Sequence, residues 1–458
     1  MNLRPNQIEP VKKGVDFFKQ NKPVPSIIVA PTAFGKSVVI AQIAKEVGER
    51  LLVIQPSKEL LEQNYNKFIG LGGEASIYSA SAGEKEIGNV TYATIGSIVN
   101  IAYKFRELGI KKVIIDECDR FPRDPKGMLR RFLDAAKVTH VLGLTATPLK
   151  LQTNMGEDGR PFSKLVMLTS KSKKGIFFKD IIHVAQIKEM VDMQFWSPLK
   201  YESYDFDTGN LVYNSTGADY TDDSIQRAYK QNDIGAKIIK KISHLPDRKS
   251  ILVAVPSIDD AKLLSSQLPS CAAVYSGMPD KERDRIIDDF KNLRLRIVVQ
   301  VTILSVGFDH PQLDCIITGR PTASLSWWYQ FVGRVTRIHP EKADGLVVDF
   351  VGSVPKFGKV EDLYFKKEGL MWKLYGEDNK LLTGIPLHEV GLHIEGKKSP
   401  HEIAAEGPDV IMTFGKYKDT MVRKIPVWYR NWLLDNIQWN PYNQKIKDEL
   451  LRLKQIGV

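Results

Sequence analysis

One octapeptide, Ala30-Pro-Thr-Ala-Phe-Gly-Lys-Ser37, constrains the fold of this chain more than any other stretch. It follows the apolar run Ile27-Ile28-Val29, which reads as a buried strand. It precedes Val38 to Lys45, whose apolar residues recur at helical spacing. A strand, a glycine-bearing loop, Gly-Lys-Ser and a helix lay out a cradle for phosphates. Backbone N–H groups of the loop surround the anion, and the positive end of the helix dipole faces it. In this layout Lys36 reaches the β- and γ-phosphates of ATP, and the Ser37 hydroxyl ligates Mg²⁺. Thr32 and Gly35 are expected beside the nucleotide. The alternative, a chance Gly-Lys-Ser at a helix start, is tested by whether the chain also supplies the carboxylates such a cradle needs.

It does, at Lys112-Val-Ile-Ile-Asp-Glu-Cys-Asp119. Three apolar residues deliver Asp116 and Glu117 to the carboxyl end of a strand, where α/β sheets place ligand chemistry. Asp116 is suited to hold Mg²⁺, directly or through water, and Glu117 to orient and deprotonate an attacking water. A solvated acidic turn is the plain alternative. Further buried strands are expected at Arg50–Ile54 and at Val141–Pro148, the latter ending in hydroxyls, with the stretch Val90–Ser97 between them, and Gln55 to Gln63 reads as a turn leading into a helix. Short apolar strands alternating with helices predict an α/β fold with a parallel, doubly wound sheet. The pattern recurs in Ser250–Ser257, Val274–Gly277 and Arg296–Gln300, with a helix over Lys281–Phe290. Two such lobes, with ATP in the cleft between them, account for most of the chain.

With 458 residues the chain is too long for one ordinary domain, and 43% hydrophobic residues can fill large cores. The expected division is 1–200, 201–352 and an accessory module at 353–458. A formal charge of +11 favours a polyanionic partner. Cys118, Cys271 and Cys315 are isolated, which excludes a disulfide framework and a CxxC metal pair and fits a reducing cytoplasm. No signal peptide opens the chain and no apolar run approaches a membrane span, so no membrane partner is expected.

The ordered series resembles the motor core of superfamily 2 helicases and translocases, whose motif I corresponds to Ala30–Ser37. Motifs Ia and Ib are matched by Gln55–Gln63 and Ala93–Ser97, motif II by Asp116–Asp119, and motif III by Leu144-Thr-Ala-Thr-Pro148. Ser250–Ser257, Val301–Asp309 and Gln330-Phe-Val-Gly-Arg-Val-Thr-Arg337 resemble motifs IV, V and VI. The resemblance implies that Thr145 and Thr147 couple hydrolysis to lobe movement. It implies that Pro56, Ser57, Thr94, Ser97, Ser257 and Thr302 line a nucleic-acid track, holding phosphates without reading bases. Gly307, Asp309 and Gln330 would face the nucleotide. Arg334 and Arg337, three apart on one face of a helix, would reach across the cleft as arginine fingers. The opening Leu3-Arg-Pro-Asn-Gln7 resembles the adenine-reading start of the DNA-directed branch, which assigns Arg4 and Gln7 to the nucleotide. The compact lobes resemble phage branch-migration helicases. An RNA helicase, a restriction-enzyme motor, and a binding module with a dead ATPase are the rival readings.

Glu157–Arg160 reads as a turn or hairpin, and Phe177–Pro198 as apolar enough to pack on a lobe. Trp327 and Trp328 read as core or lobe-interface residues. Val354–Lys359 reads as a linker and 384–408 as a loop, whose His388, His393 and His401 lack metal-ligand spacing. Beyond it, Phe414-Gly-Lys-Tyr-Lys418 and Pro426-Val-Trp-Tyr-Arg-Asn-Trp432 resemble a small module attached to some phage and bacterial nucleic-acid enzymes. Its Phe414, Tyr417, Trp428 and Trp432 are either the core of a tiny domain or a stacking surface, and Lys416 and Lys418 are candidate phosphate contacts.

Overall fold

The computed structural model describes residues 3–121, 126–156, 161–171, 175–215, 219–301, 309–387, 410–440 and 442–455. Two sheets carry the site. The first contains β1 (Ser26–Val29), β2 (Leu51–Gln55), β3 (Ser76–Ser79), β4 (Glu84–Lys85), β5 (Val90–Thr94), β6 (Lys112–Asp116), β7 (His140–Thr145) and β10 (Asp180–Val184). Its order is β10-β1-β7-β6-β2-β5-β3-β4, parallel except where β4 turns back on β3. Between β7 and β10, β8 (Leu149–Met155) and β9 (Pro161–Met167) form an antiparallel pair. Its turn, Glu157–Arg160, lies outside the described residues.

The second sheet runs β11-β16-β15-β12-β14-β13 and is parallel throughout. Its strands are β11 (Leu199–Ser203), β12 (Ile251–Ala254), β13 (Cys271–Val274), β14 (Ile297–Gln300), β15 (Cys315–Thr318) and β16 (Gly345–Asp349). The chain is therefore α/β, with two parallel-sheet lobes. The central strands β1, β2, β12 and β14 are buried along their whole length, as expected of strands covered by helices on both faces.

The last stretch divides differently from its sequence pattern. Val354–Lys359 is not a free linker: Ser353–Phe357 is a short helix, Phe357 and Val360 are buried, and Trp328 Nε1 donates to Gly358 O at 3.2 Å. The next hairpin, β17 (Tyr364–Glu368) with β18 (Met371–Tyr375), is held to the first lobe by Gln186. That side chain donates to Phe365 O at 2.7 Å and accepts from Phe365 N at 3.0 Å. Apolar side chains at Phe357, Val360, Leu363 and Leu374 offer too much area to remain a solvated tether, so they extend the main core. Residues 410–455 instead close a separate small core around Met412, Ile425, Leu433, Ile446 and Leu453. His388, His393 and His401 lie outside the described residues.

Candidate functional site: the cleft between the lobes

The helix Lys36–Val47 starts from Gly35, which holds a left-handed φ of 88°. That backbone conformation favours glycine, and a Cβ there would also displace the Gln7 amide, 2.5 Å away. Ala33 is also left-handed, at φ 58°, a conformation that costs an ordinary residue about 1 kcal/mol. The loop is held in that shape through its carbonyls. Trp196 Nε1 donates to Thr32 O at 2.9 Å, Arg4 Nη1 to Ala33 O at 3.3 Å, and Gln7 Nε2 to Phe34 O at 2.6 Å. Arg4 also stacks over the Phe195 ring. Arg4 and Gln7 line the cleft, and their polar atoms brace the loop; Gln7 Oε1 accepts from Arg4 N at 2.9 Å.

Strand β6 delivers Asp116, and the backbone then turns through a left-handed Glu117 at φ 45°. Strain of this kind persists where surrounding contacts over-determine it. Here Glu117 Oε1 pairs with Lys36 Nζ at 2.8 Å. Its second oxygen, Oε2, is buried without a hydrogen-bond partner among the described residues. Asp116 accepts from Asn64 Nδ2 at 2.8 Å and from Glu117 N at 2.9 Å. Burial, with Glu117 adding repulsion, pushes its carboxyl up to about 6, against the pull of Lys36 and Asn64. Burial draws the Lys36 ammonium down, but Glu117 and Asp116 outweigh it and hold it above its ordinary value. An unmatched carboxylate oxygen beside a second buried acid, a lysine and a loop of N–H groups fits ATP with Mg²⁺. Lys36, Ser37 and Asp116 are the residues that would hold them.

Thr145 and Thr147, at the end of β7, both donate to one carboxylate, Asp119, at 2.6 and 3.1 Å. This acceptor was not singled out from the sequence, although it stands in the same four-residue motif as Asp116. Asn64 carried no sequence signal; its role follows from the packing of the helix Lys58–Gly70 beside β5 and β2.

The second lobe reaches the same space. The helix Leu325–Val332 begins at its Ser324 cap and contains both tryptophans. Trp328 is fully buried and Trp327 stacks on Phe331, so both pack as expected. Arg334 and Arg337 do not lie on that helix. It ends at Gly333, and tighter bonds, Arg334 N to Phe331 O and Val335 N to Val332 O, form a turn. The β-branched Val332, Val335 and Thr336 disfavour another helical turn. The two arginines still converge on the cleft. Arg334 is buried, which with the nearby Arg337 lowers its guanidinium to about 9. Arg337 Nε pairs with Asp309 at 2.7 Å, and Arg120 reaches over to Gln330 Oε1 at 3.4 Å. Tyr329 accepts from the Thr32 N–H at 3.3 Å, and a Cβ on Gly333 would strike Thr32 at 2.6 Å. Phosphate loop and arginine turn are thus in direct contact. Together these residues enclose about 470 Å³, lined by Lys36, Ser37, Asp116 and Glu117 from one side and Gln330, Arg334 and Arg337 from the other. Gly307 and Thr302 lie outside the described residues.

The expected track residues stand at the carboxyl ends of strands. Gln55, just before Pro56, is in register with Thr94 on the neighbouring strand. Ser57 caps the helix Lys58–Gly70, and Ser257 caps Ile258–Gln267 in the same way. Thr94 and Ser97 bond each other at 2.9 Å, and Ser97 accepts from Ala80 N. Lys416 and Lys418 are exposed. Among the described residues no His, Cys, Asp or Glu cluster could hold a metal by protein ligands alone, and no helix is long and apolar enough to cross a membrane.

Comparison with known proteins agrees with this geometry. Residues 1–150 match the family described as type III restriction enzyme, res subunit, and 235–339 match the helicase conserved C-terminal domain. IRC3 of Saccharomyces cerevisiae, whose name places it provisionally among ATP-dependent helicases, is 26% identical over 58% of this chain. A 51.5 kDa protein of a Lactococcus phage is 24% identical over 77%. The chain spans 38% of the yeast relative and 72% of the phage one. Among solved structures, a DNA-bound ATP-dependent type ISP restriction-modification enzyme superposes with a TM-score of 0.55 at 17% identity. That match covers 77% of this chain and 28% of the other, and shows a shared fold.

Proposed function

We propose that this chain is an ATP-driven DNA motor of the superfamily 2 helicase type, with two RecA-like lobes, that unwinds or branch-migrates forked and four-way DNA. The observation that carries this reading is the single cleft in which a lysine, two acids and two arginines from opposite lobes meet. Mg²⁺, when bound with ATP, would neutralise phosphate charge. Within the cleft, Lys36 binds the terminal phosphates, Glu117 Oε2 takes the proton of the attacking water, and Arg334 with Arg337 stabilises charge that develops at the γ-phosphate. Arg337 reaches that role by leaving Asp309. Because the arginine turn touches the phosphate loop, loss of the phosphate alters lobe packing, and Thr145 and Thr147 carry the change through Asp119.

The strand-end residues Pro56, Ser57, Thr94, Ser97 and Ser257 would contact the strand backbone. The hydroxyls of Ser57, Thr94, Ser97 and Ser257 are already engaged in caps and in one another, so neighbouring N–H groups do most of the phosphate holding. Choice of DNA is supported by the motif II and III versions in the chain. It is also supported by a Pyrococcus abyssi relative named as the ATP-dependent DNA helicase Hel308, 22% identical over 64% of this chain. The N-terminal family match favours a second reading, the motor part of a restriction-type nuclease complex. ATP turnover and unwinding, measured in parallel on single-stranded DNA, forks, four-way junctions and RNA, test the proposal. Stimulation by DNA and conversion of junctions to forked products are expected. Stimulation by RNA alone would overturn it, and cleavage of DNA with an added partner would favour the second reading.

A further inference from the structure

The module at 410–455 shows an arrangement the motor does not use. Tyr429 is its hub. It is buried, its hydroxyl accepts from Lys416 N at 3.2 Å, and a Cβ on Gly415, at φ 75°, would lie 2.8 Å from that oxygen. The Phe414–Lys418 loop is thereby pinned to the helix Val427–Asn436. Tyr417 packs edge-on against Tyr429 at 4.8 Å. Phe414 and Tyr417 thus belong with the small core.

Trp428 and Trp432 do not. One helical turn apart, they flank Tyr429, Trp432 in a parallel stack at 5.5 Å and 16°, Trp428 edge-on at 5.4 Å. They remain 45% and 46% exposed. Two large, half-exposed indoles held rigid by a buried tyrosine are costly to leave in water and mark a binding surface. The charge beside them specifies the partner. Lys416 Nζ lies 5.8 Å from the Trp428 ring, and Lys418 and Lys424 are exposed nearby in the chain. From 410 to 440 Lys416, Lys418, Arg423 and Lys424 are exposed or half-buried against Asp419 and Asp435, while Arg430 is buried. An apolar protein surface would not call for that excess; a strand carrying both flat bases and phosphates would.

We propose that Trp428 and Trp432 form a stacking platform for unpaired nucleic-acid bases, with Lys416 holding the adjoining phosphate. This rests on the motor reading only in placing unpaired strands near the enzyme; the platform itself is defined by its own chemistry. Trp432 lies nearly parallel to Tyr429 and Trp428 nearly perpendicular to it, so the two indoles present differently directed faces, and each would take its own base from a strand that bends between them. Held near the fork in this way, a displaced strand would re-anneal less readily.

The test uses the full chain and fluorescence-anisotropy binding to forks whose single-stranded arms are normal DNA, abasic DNA or RNA. Trp428→Ala/Trp432→Ala is expected to weaken binding to the normal arm by roughly 5- to 100-fold, the range for lost base stacking. Abasic arms should bind parent and variant alike. The RNA arm should show the same loss in the variant, since stacking needs bases but not a particular sugar; a loss confined to DNA arms would overturn stacking as its cause. Trp428→Tyr/Trp432→Tyr should restore most of the affinity, which guards against a folding defect. DNA-stimulated ATP turnover at saturating DNA should be unchanged. Equal binding by parent and variant on normal arms overturns the proposal. An equal loss on normal and abasic arms also overturns it, pointing to phosphate contact or folding. If no nucleic acid stimulates ATP turnover the motor reading fails, while the abasic comparison still decides the platform.

Discussion

The two lobes share a plan and divide the chemistry. In each, a fully buried parallel strand, β2 or β12, ends in a turn carrying Pro-Ser, and the serine caps the next helix. In the cleft the first lobe supplies the lysine and the acids, Lys36, Asp116, Glu117 and Asp119. The second supplies Arg334 and Arg337 on the turn after its helix, and Arg4 and Arg120 of the first lobe line the same space. The first-lobe side chains are tied by separate local bonds, Lys36 to Glu117, Asn64 to Asp116, and Thr145 and Thr147 to Asp119. The second-lobe arginines stand on a turn rather than on a helix. The difference teaches that the repeated architecture supplies strand ends, and that the chemistry depends on which residues follow them.

If the first lobe holds the hydrolytic machinery, Glu117→Gln should give the largest effect. ATP turnover should fall on the order of 10⁴-fold while fluorescent-nucleotide binding stays within a few-fold. Near-parental turnover would remove Glu117 from its role. Arg334→Ala should follow, with turnover down on the order of 10³-fold and the isolated binding step little changed. A variant that instead loses nucleotide binding in proportion would make the arginine a ground-state clamp.

Smaller effects examine the contact between the lobes. Tyr329→Phe removes one hydroxyl from the Thr32 N–H and keeps the buried ring. The KM for ATP should change by about 3- to 10-fold with kcat altered less, as expected for one hydrogen bond at a loop both lobes touch. An unchanged KM would show that the bond does not couple them. The smallest effects compare the matched caps. Ser57→Ala and Ser257→Ala should each lower stability by about 1 kcal/mol in chemical denaturation, as lost caps do. A much larger loss in only one lobe would break the parallel between them.

Much of the cleft was legible in the chain because its chemistry is local. Lys36 and Ser37 share one loop, Asp116 and Glu117 one strand end, and Arg334 and Arg337 one short motif; spacing alone puts each set together. Strands β3, β4, β10, β11, β15 and β16 of the two sheets have no distinguishing sequence signal, since short runs without a motif look alike in a sequence. The arginine turn was read as helix because a three-residue spacing fits both, and the stop at Gly333 depends on how closely it meets Thr32.

The sequence by itself pointed to the two-lobe α/β plan through its periodicity, and to Lys36, Asp116, Glu117, Arg334 and Arg337 through motifs and the family they resemble, because both signals act along the chain. Only the tertiary structure decided that Trp196, Arg4 and Gln7 grip three successive loop carbonyls, that Asn64 steadies Asp116, that Val354–Lys359 is core, and that Trp428 and Trp432 remain outside their small core. Those outcomes depend on long-range packing, in which a side chain is buried or left in water by what elements far away in sequence bring beside it.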